Sequence, residues 1–221
     1  MQTLTKILVE QGQSNHILSD TQLARMIEGS PQRRYNLVNR AAGAGELHRL
    51  RRGLYLLPRK YRDYDCHPYA LAQRLVPGSY VSLETALSHH GWIPEAVYTT
   101  ASIVPGRKSS DIEDSLMGRF SFHPLSTRPG YFLELVSRVT TNQQAMLVAG
   151  PVRALMDLVC LRKLEWQGLA WFEQGMRIEP ELLSTVSGQQ LRRLKRVYKQ
   201  KRMQRFLAEF EKALGLERGH D

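Results

Sequence analysis

The sequence predicts an α+β protein of two domains, and three observations carry that prediction. Apolar residues recur at helical spacing in some segments and alternate with polar residues in others. The strand-like segments follow one another through short turns, the pattern of a small antiparallel sheet with helices on a face. The charge is gathered at the two ends. Of 221 residues, 31 are Lys or Arg and 21 are Asp or Glu, for a net charge of +10. Residues 1–62 hold 11 bases against 4 acids, and residues 181–221 hold 10 against 5, around a near-neutral middle. Localised positive charge is the pattern that neutralises phosphates, so a polyanionic partner is expected, most often nucleic acid.

Within residues 1–62, Leu4, Ile7 and Leu8 fall on one helical face, and Gly12 with Gln13-Ser14-Asn15 ends that helix. Ser19-Asp20-Thr21-Gln22 reads as a capping box, with Leu23, Met26 and Ile27 giving a second helix its apolar side. Gly29-Ser30-Pro31 is a turn, in which Ser30 suits the N-cap and Pro31 the first helical position. A third helix is expected from about Pro31 to Ala42, closed by Gly43-Ala44-Gly45. Leu47–Leu50 and Leu54–Leu57 then read as two strands around Gly53, and Pro58 ends the second.

Three helices followed by a two-stranded ribbon is the order of a winged helix-turn-helix. Leu37, Val38 and Ala41 supply the third helix with an inner face, which leaves Gln32, Arg33, Arg34, Tyr35, Asn36, Asn39 and Arg40 outside. Arg forks onto guanine O6 and N7, and Asn or Gln onto adenine N6 and N7, so this is the chemistry of major-groove reading. Arg49, Arg51 and Arg52 sit in the hairpin, suited to phosphates or the minor groove. The polar run at residues 59–66 is the expected boundary to a second domain over 67–221.

In that second domain, helices are expected over His67–Leu75, Leu83–His90 and Val152–Leu161. Strands are expected at Val97–Val104, Arg119–His123, Tyr131–Val136 and Ala145–Val148. From Trp171 the chain reads as helical, with a short helix at Leu182–Val186 and one long helix from Gln189 to about Leu214. Between residues 191 and 205 that helix holds eight bases and no acid. Arg192, Arg193, Lys195, Arg196, Lys199 and Arg202 are its candidate binding residues. Two readings stand side by side: a solvated outer face over the sheet, or a surface lying along a phosphate backbone or RNA.

Three tracts resemble those of the AbiEi-family antitoxins of bacterial type IV toxin–antitoxin, or abortive infection, systems. Tyr80-Val81-Ser82-Leu83-Glu84-Thr85-Ala86-Leu87, running on to Gly91, resembles the family's Y-x-S-x-x-x-A-L-x-x-x-G tract. Arg52-Gly53-Leu54-Tyr55-Leu56-Leu57-Pro58 resembles its R-x-G-x-Y-x-x-P wing, and Ala149 to Leu158 resembles its A-x-P-x-x-A-L-x-D helix start. The resemblance covers roughly residues 1–165. It implies a winged helix that binds operator DNA upstream of its own operon. It also implies a second domain that opposes a nucleotidyltransferase-like toxin functionally, without a tight complex. On residue chemistry alone, Ser82 is expected to cap the helix that follows it, and Pro151 to open the next.

Enzyme chemistry is not expected. His89 and His90 are adjacent and diverge on a helix, so local spacing does not make them a metal pair. Asp111, Glu113 and Asp114 read as an acidic turn, and Gly43-Ala44-Gly45 lacks the rest of a dinucleotide fingerprint. Cys66 and Cys160 make neither a disulfide framework nor a zinc set. No apolar run approaches the ~20 residues of a membrane span, and the first residues lack a signal-peptide pattern. The expectation is a cytoplasmic protein without cofactor, metal or membrane contact. Two other readings remain at this stage: a ligand-responsive regulator, and an RNA- or protein-binding adaptor acting through residues 191–205.

Overall fold

Two sheets and the helices around them make up the computed structural model, which describes residues 4–114 and 116–216. The chain divides into two compact units, Met1–Leu75 with Thr141–Gln144, and Val76–Thr140 with Ala145–Asp221.

The first unit begins with helix α1 (Leu4–Glu10), strand β1 (Leu18–Ser19) and helix α2 (Asp20–Met26). The Ser19 capping box forms as read: Ser19 Oγ accepts from the Gln22 amide at 3.2 Å, and Gln22 Oε1 accepts from the Ser19 amide at 2.9 Å. Helix α3 (Pro31–Gly43) opens on Ser30, whose hydroxyl accepts from the Arg33 amide, with Pro31 in the first turn. Strands β2 (His48–Arg51) and β3 (Leu54–Leu56) form an antiparallel hairpin, bulged between Arg49 and Arg51. Strand β1 adds to the other side of β3, so the sheet order is β1-β3-β2. Leu4, Leu8, Leu18, Leu23, Val38 and Leu57 are the centre of the core these elements share. Helix α4 (Pro68–Leu75) follows after a 3₁₀ turn at Arg59–Tyr61.

The second unit carries strand β4 (Tyr80–Val81), helix α5 (Leu83–His89), strands β5 (Thr99–Val104), β6 (Ser110–Asp114) and β7 (Gly118–Pro124), all but the end residues Thr141 and Gln144 of strands β8 (Val136–Thr141) and β9 (Gln144–Ala149), and helix α6 (Pro151–Leu161). A π-helical turn at Trp171–Gly175 follows, and then helices α7 (Pro180–Ser184), α8 (Gly188–Lys195) and α9 (Lys201–Ala213). The sheet order is β6-β7-β5-β4-β9-β8. The antiparallel sheet expected from short turns is corrected here to a mixed one, because β5 pairs β7 in parallel and β4 pairs β9 in parallel. Turn length misled because β5 and β6 do not pair. Strand β7 inserts between them, folding back on β6 and running alongside β5.

Four further expectations are corrected. The acidic run Asp111, Glu113 and Asp114 is edge strand β6, not a turn. Tyr131–Leu135 is a sequence of turns, and the strand expected there begins only at Val136. Ser82 stands at the N-cap of α5 but makes no capping hydrogen bond. The single long helix at Gln189–Leu214 is two helices, interrupted from Arg196 to Gln200.

The last three corrections share one cause. Arg153 and Asp157, one turn apart on α6, form an ion pair of 2.8 Å in which both side chains are 0 % exposed. Charges removed from water need their remaining hydrogen bonds satisfied. Ser82 Oγ donates to Asp157 Oδ2 at 2.8 Å, which takes it away from the helix amide. Tyr80 OH donates to the same oxygen at 2.9 Å, and Tyr198 OH donates to Oδ1 at 2.8 Å. The Arg153 guanidinium donates to the Glu134 carbonyl at 2.9 Å and to the Phe132 carbonyl at 3.3 Å, so the Tyr131–Leu135 backbone turns toward it instead of joining a ladder.

At the helix break, Val197 and Tyr198 are consecutive and both fully buried. A continuous helix would engage the Val197 carbonyl with the amide four residues on. The chain instead leaves the helix: the Val197 carbonyl accepts from the Arg128 amide at 2.7 Å, and Tyr198 bridges Thr127. Burial and the Asp157 charge push both Tyr80 and Tyr198 well above the ordinary phenol range, which keeps them as hydroxyl donors. Burial is the largest influence on the Arg153 guanidinium and works against its charge, but the Asp157 carboxylate together with Tyr198 and Tyr80 outweighs it and raises the group further.

Removing one member of such a pair strands the other charge. Asp157→Ala is expected to lower unfolding stability by about 3–5 kcal/mol, read from urea unfolding. The double change Arg153→Met with Asp157→Leu is expected to cost less than that single change. A single-variant loss below about 1 kcal/mol would contradict the network's role.

Candidate nucleic-acid interface

Helix α3 presents three distinct faces. Val38 and Ala41 are buried and hold it to the core of the first unit. One flank, with Arg34, Tyr35, Val38 and Asn39, borders a hollow of about 580 Å³. The β2–β3 hairpin supplies Arg49, Arg52 and Tyr55 to the same hollow, and α2 supplies Asp20 and Leu23. The other flank, with Arg33, Leu37 and Arg40, borders a second hollow of about 390 Å³ with Ile7, Gln11 and Glu28. Between the flanks, Gln32 and Asn36 are exposed.

Local sequence builds this arrangement. Gly29 adopts φ +108°, turning the chain from α2 into α3, and its carbonyl accepts from Arg34 at 2.5 Å. Arg34 is thereby held at the start of the helix, beside the hollow. Gly53 adopts φ +75° at the hairpin tip, where a Cβ would lie 2.8 Å from an Asp20 carboxylate oxygen. The bulge between Arg49 and Arg51 shifts the register of the strand, and of its arginines Arg49 lines the hollow while Arg51 does not.

The exposed amides of α3 are hydrogen-bonded to each other. Gln32 Nε2 donates to Asn36 Oδ1 at 3.1 Å, one helical turn away. That bond leaves Gln32 Oε1 as an outward acceptor and Asn36 Nδ2 as an outward donor. An adenine edge in the major groove offers the matching donor N6 and acceptor N7. Tyr35 is 64 % exposed at the rim of the hollow. Arg40 Nε donates to the Asn36 carbonyl at 3.4 Å and so lies along its own helix.

Of the ten residues expected on α3 and the hairpin, the fold gathers Arg34, Tyr35, Asn39, Arg49 and Arg52 around one hollow. Gln32 and Asn36 lie beside it on the helix, Arg51 is exposed on the hairpin, and Arg33 and Arg40 flank the second hollow. Sequence reasoning missed Asp20 and Tyr55. Burial, and then the nearby Asp20 carboxylate that accepts its hydrogen bond, push the Tyr55 hydroxyl above its ordinary value. Asp20 could have been found only from pairing, since β1 lies alongside β3 and Asp20 follows β1 directly.

The basic residues expected in the C-terminal region divide in two. Arg193 pairs with Glu134, Lys195 with Glu211, and Arg202 donates to the Val159, Cys160 and Leu164 carbonyls at the end of α6. Arg192, Arg196 and Lys199 are exposed.

Of the groups weighed for enzyme chemistry, His89 and His90 do not diverge as expected: their rings meet edge to face with centroids 5.0 Å apart. Burial pushes the Cys66 and Cys160 thiols each up to about 11, so neither is a thiolate near neutral pH. His90 Nε2 lies 2.9 Å from the Ala149 carbonyl. Among the described residues no group of three His, Cys, Asp or Glu is placed to hold a metal ion, and no helix is long and apolar enough to cross a membrane. Comparison with family models and with curated proteins finds no match to this chain.

A lone carboxylate in a cationic hollow opposes a phosphate. Asp20→Asn is expected to tighten binding of any DNA duplex by about two- to five-fold, as a unit charge a few ångströms from a phosphate in water contributes about 0.5–1 kcal/mol. Fluorescence anisotropy on two unrelated duplexes checks it, and weaker binding by the variant would remove the hollow from the interface.

Proposed function

We propose that the protein is a winged-helix transcriptional repressor that binds operator DNA upstream of its own operon. One observation carries the reading: Arg34, Tyr35 and Asn39 on one flank of α3 and the hairpin arginines Arg49 and Arg52 border the same hollow. A recognition helix in a major groove needs amide or guanidinium groups toward base edges and cations beside them for phosphates. In this reading α3 is the recognition helix and the β2–β3 hairpin is the wing. Gln32, Asn36 and Asn39 read bases, Tyr35 makes an apolar contact, and Arg34, Arg49 and Arg52 hold phosphates. Arg51 reaches the backbone from the wing, while Arg33 and Arg40 contact phosphates on the far flank.

The second part of the proposal rests on the family resemblance: the chain is the antitoxin of a type IV toxin–antitoxin system in phage defence. It opposes a nucleotidyltransferase-like toxin without binding it tightly. The tracts that carry the resemblance supply Tyr80, Ser82 and Asp157 to one buried cluster. Their spacing therefore has a packing reason, and the antitoxin part is tested separately, by rescue of growth on co-expression with the neighbouring gene.

The direct test is binding to the DNA upstream of the gene against a scrambled duplex, across a salt series. The expected preference is about 10³-fold or more, with log K falling by several units per unit of log salt. Equal, weak and salt-sensitive binding to both duplexes would end the repressor reading. Within it, Asn39→Ala is expected to cost about 1–3 kcal/mol on the operator and little on the scrambled duplex. Arg49→Ala and Arg52→Ala are expected to weaken both duplexes alike, each lowering the salt slope by about one.

A further inference from the structure

Helices α8 and α9 pack against each other: Gln204 of α9 donates to the Lys195 and Tyr198 carbonyls, and Lys195 pairs with Glu211. The buried side of α9 is Met203, Phe206, Leu207 and Phe210. At 100° per residue, Lys201, Arg205 and Lys212 fall within an arc of about 40°, directly opposite that apolar side. All three are exposed, as are Arg196 and Lys199 at the turn between the two helices. None of the five takes part in an ion pair or side-chain hydrogen bond among the described residues. Glu211 is engaged by Lys195, and the exposed Glu209 lies one turn from both Arg205 and Lys212, so the five cations and this one acid leave the face a net charge of +4.

We propose that this face of α9, with the α8–α9 turn, is a docking surface for double-helical RNA, bound through its phosphates. The stripe repeats at four and seven residues, about 6 and 10.5 Å along the helix axis, so it spans about 16 Å of straight cationic surface. Single-stranded nucleic acid is held by aromatic platforms on which bases stack, and no exposed aromatic side chain lies on α8 or α9. A helix that reads B-form DNA puts several amide or guanidinium groups to base edges from its N-terminal residues, whereas the α9 stripe holds two lysines, the small Ala208 and the single guanidinium of Arg205, with no amide. The A-form duplex has a deep, narrow major groove and is recognised by shape, phosphates and 2′-hydroxyls more than by sequence. A stripe of mostly lysine cations, with no amide among them, matches the phosphate rows lining that groove. Nothing in this inference uses the first unit, so it stands or falls apart from operator binding.

The test uses the full chain with an RNA duplex of arbitrary sequence, the DNA duplex of the same sequence and the single RNA strand. Two variants accompany the wild type: Lys201→Gln/Arg205→Gln/Lys212→Gln, which removes the charge, and Lys201→Arg/Lys212→Arg, which keeps it. The wild type is expected to prefer the RNA duplex to the single RNA strand, and the DNA duplex reports binding through the first unit. The glutamine variant is expected to bind it at least tenfold more weakly, with a salt slope lower by about one for each phosphate contact removed. The arginine variant is expected to bind it as the wild type does, and both variants to keep the wild-type unfolding midpoint and operator affinity. The inference is overturned if the glutamine variant binds the RNA duplex normally or loses operator DNA in equal measure. A wild-type preference for the single strand, or a glutamine variant that loses the DNA duplex as much as the RNA duplex, would also overturn it.

Discussion

Two opposite charges sealed from water organise the second unit. The Arg153–Asp157 pair lies on one helix, but helix α6 alone cannot satisfy it. A buried carboxylate has lone pairs to spare and a buried guanidinium has five donors. The fold meets that demand by drawing in Tyr80 from β4, Ser82 from the start of α5, the carbonyls of the Phe132–Glu134 turns and Tyr198 from beyond α8. Each contributor gives up a simpler local role. Ser82 forgoes its cap, the 131–135 segment forgoes a strand, and the C-terminal helix is broken. Half-satisfied, such a network would be worse than an apolar core. The segments it joins are far apart in sequence, so they are held to one arrangement.

The first unit solves a different problem with shorter-range means. Its helices are brief, and an isolated helix of 7 residues, the length of α1 and α2, is not stable in water. Caps at Ser19 and Ser30 and a shared apolar cluster hold them. This leaves the outside of α3 and the hairpin free to carry charge. The arginines there are not equivalent. The turn at Gly29 and the bulge in β2 sort them, so that Arg34, Arg49 and Arg52 share a hollow while Arg33 and Arg40 flank another. The charge imbalance of the chain therefore resolves into cations that hold the fold together, such as Arg153 and Arg202, and cations on exposed faces.

What the sequence determined by itself was local. The capping box at Ser19, the Ser30-Pro31 start of α3, the helix opened by Pro151 and the hairpin around Gly53 all depend on residues within about four positions of one another. The alternation of Phe120 and Phe122 likewise marked a buried strand before any partner was known. The outward amides and bases of α3 were readable for the same reason, since a helix face follows from spacing alone.

Only the tertiary structure decided the rest. No local pattern could place β7 between β5 and β6, because strand order depends on which distant segments bury one another. No spacing rule could break the C-terminal helix at Arg196–Gln200, since the break answers to Asp157, about 40 residues earlier. The same holds for the interface: sequence named the arginines, but which of them share a hollow with Asp20 and Tyr55 was set by β1 pairing onto β3. Propensity and periodicity are properties of short windows. Register, strand order and the sharing of a buried charge are properties of the whole chain.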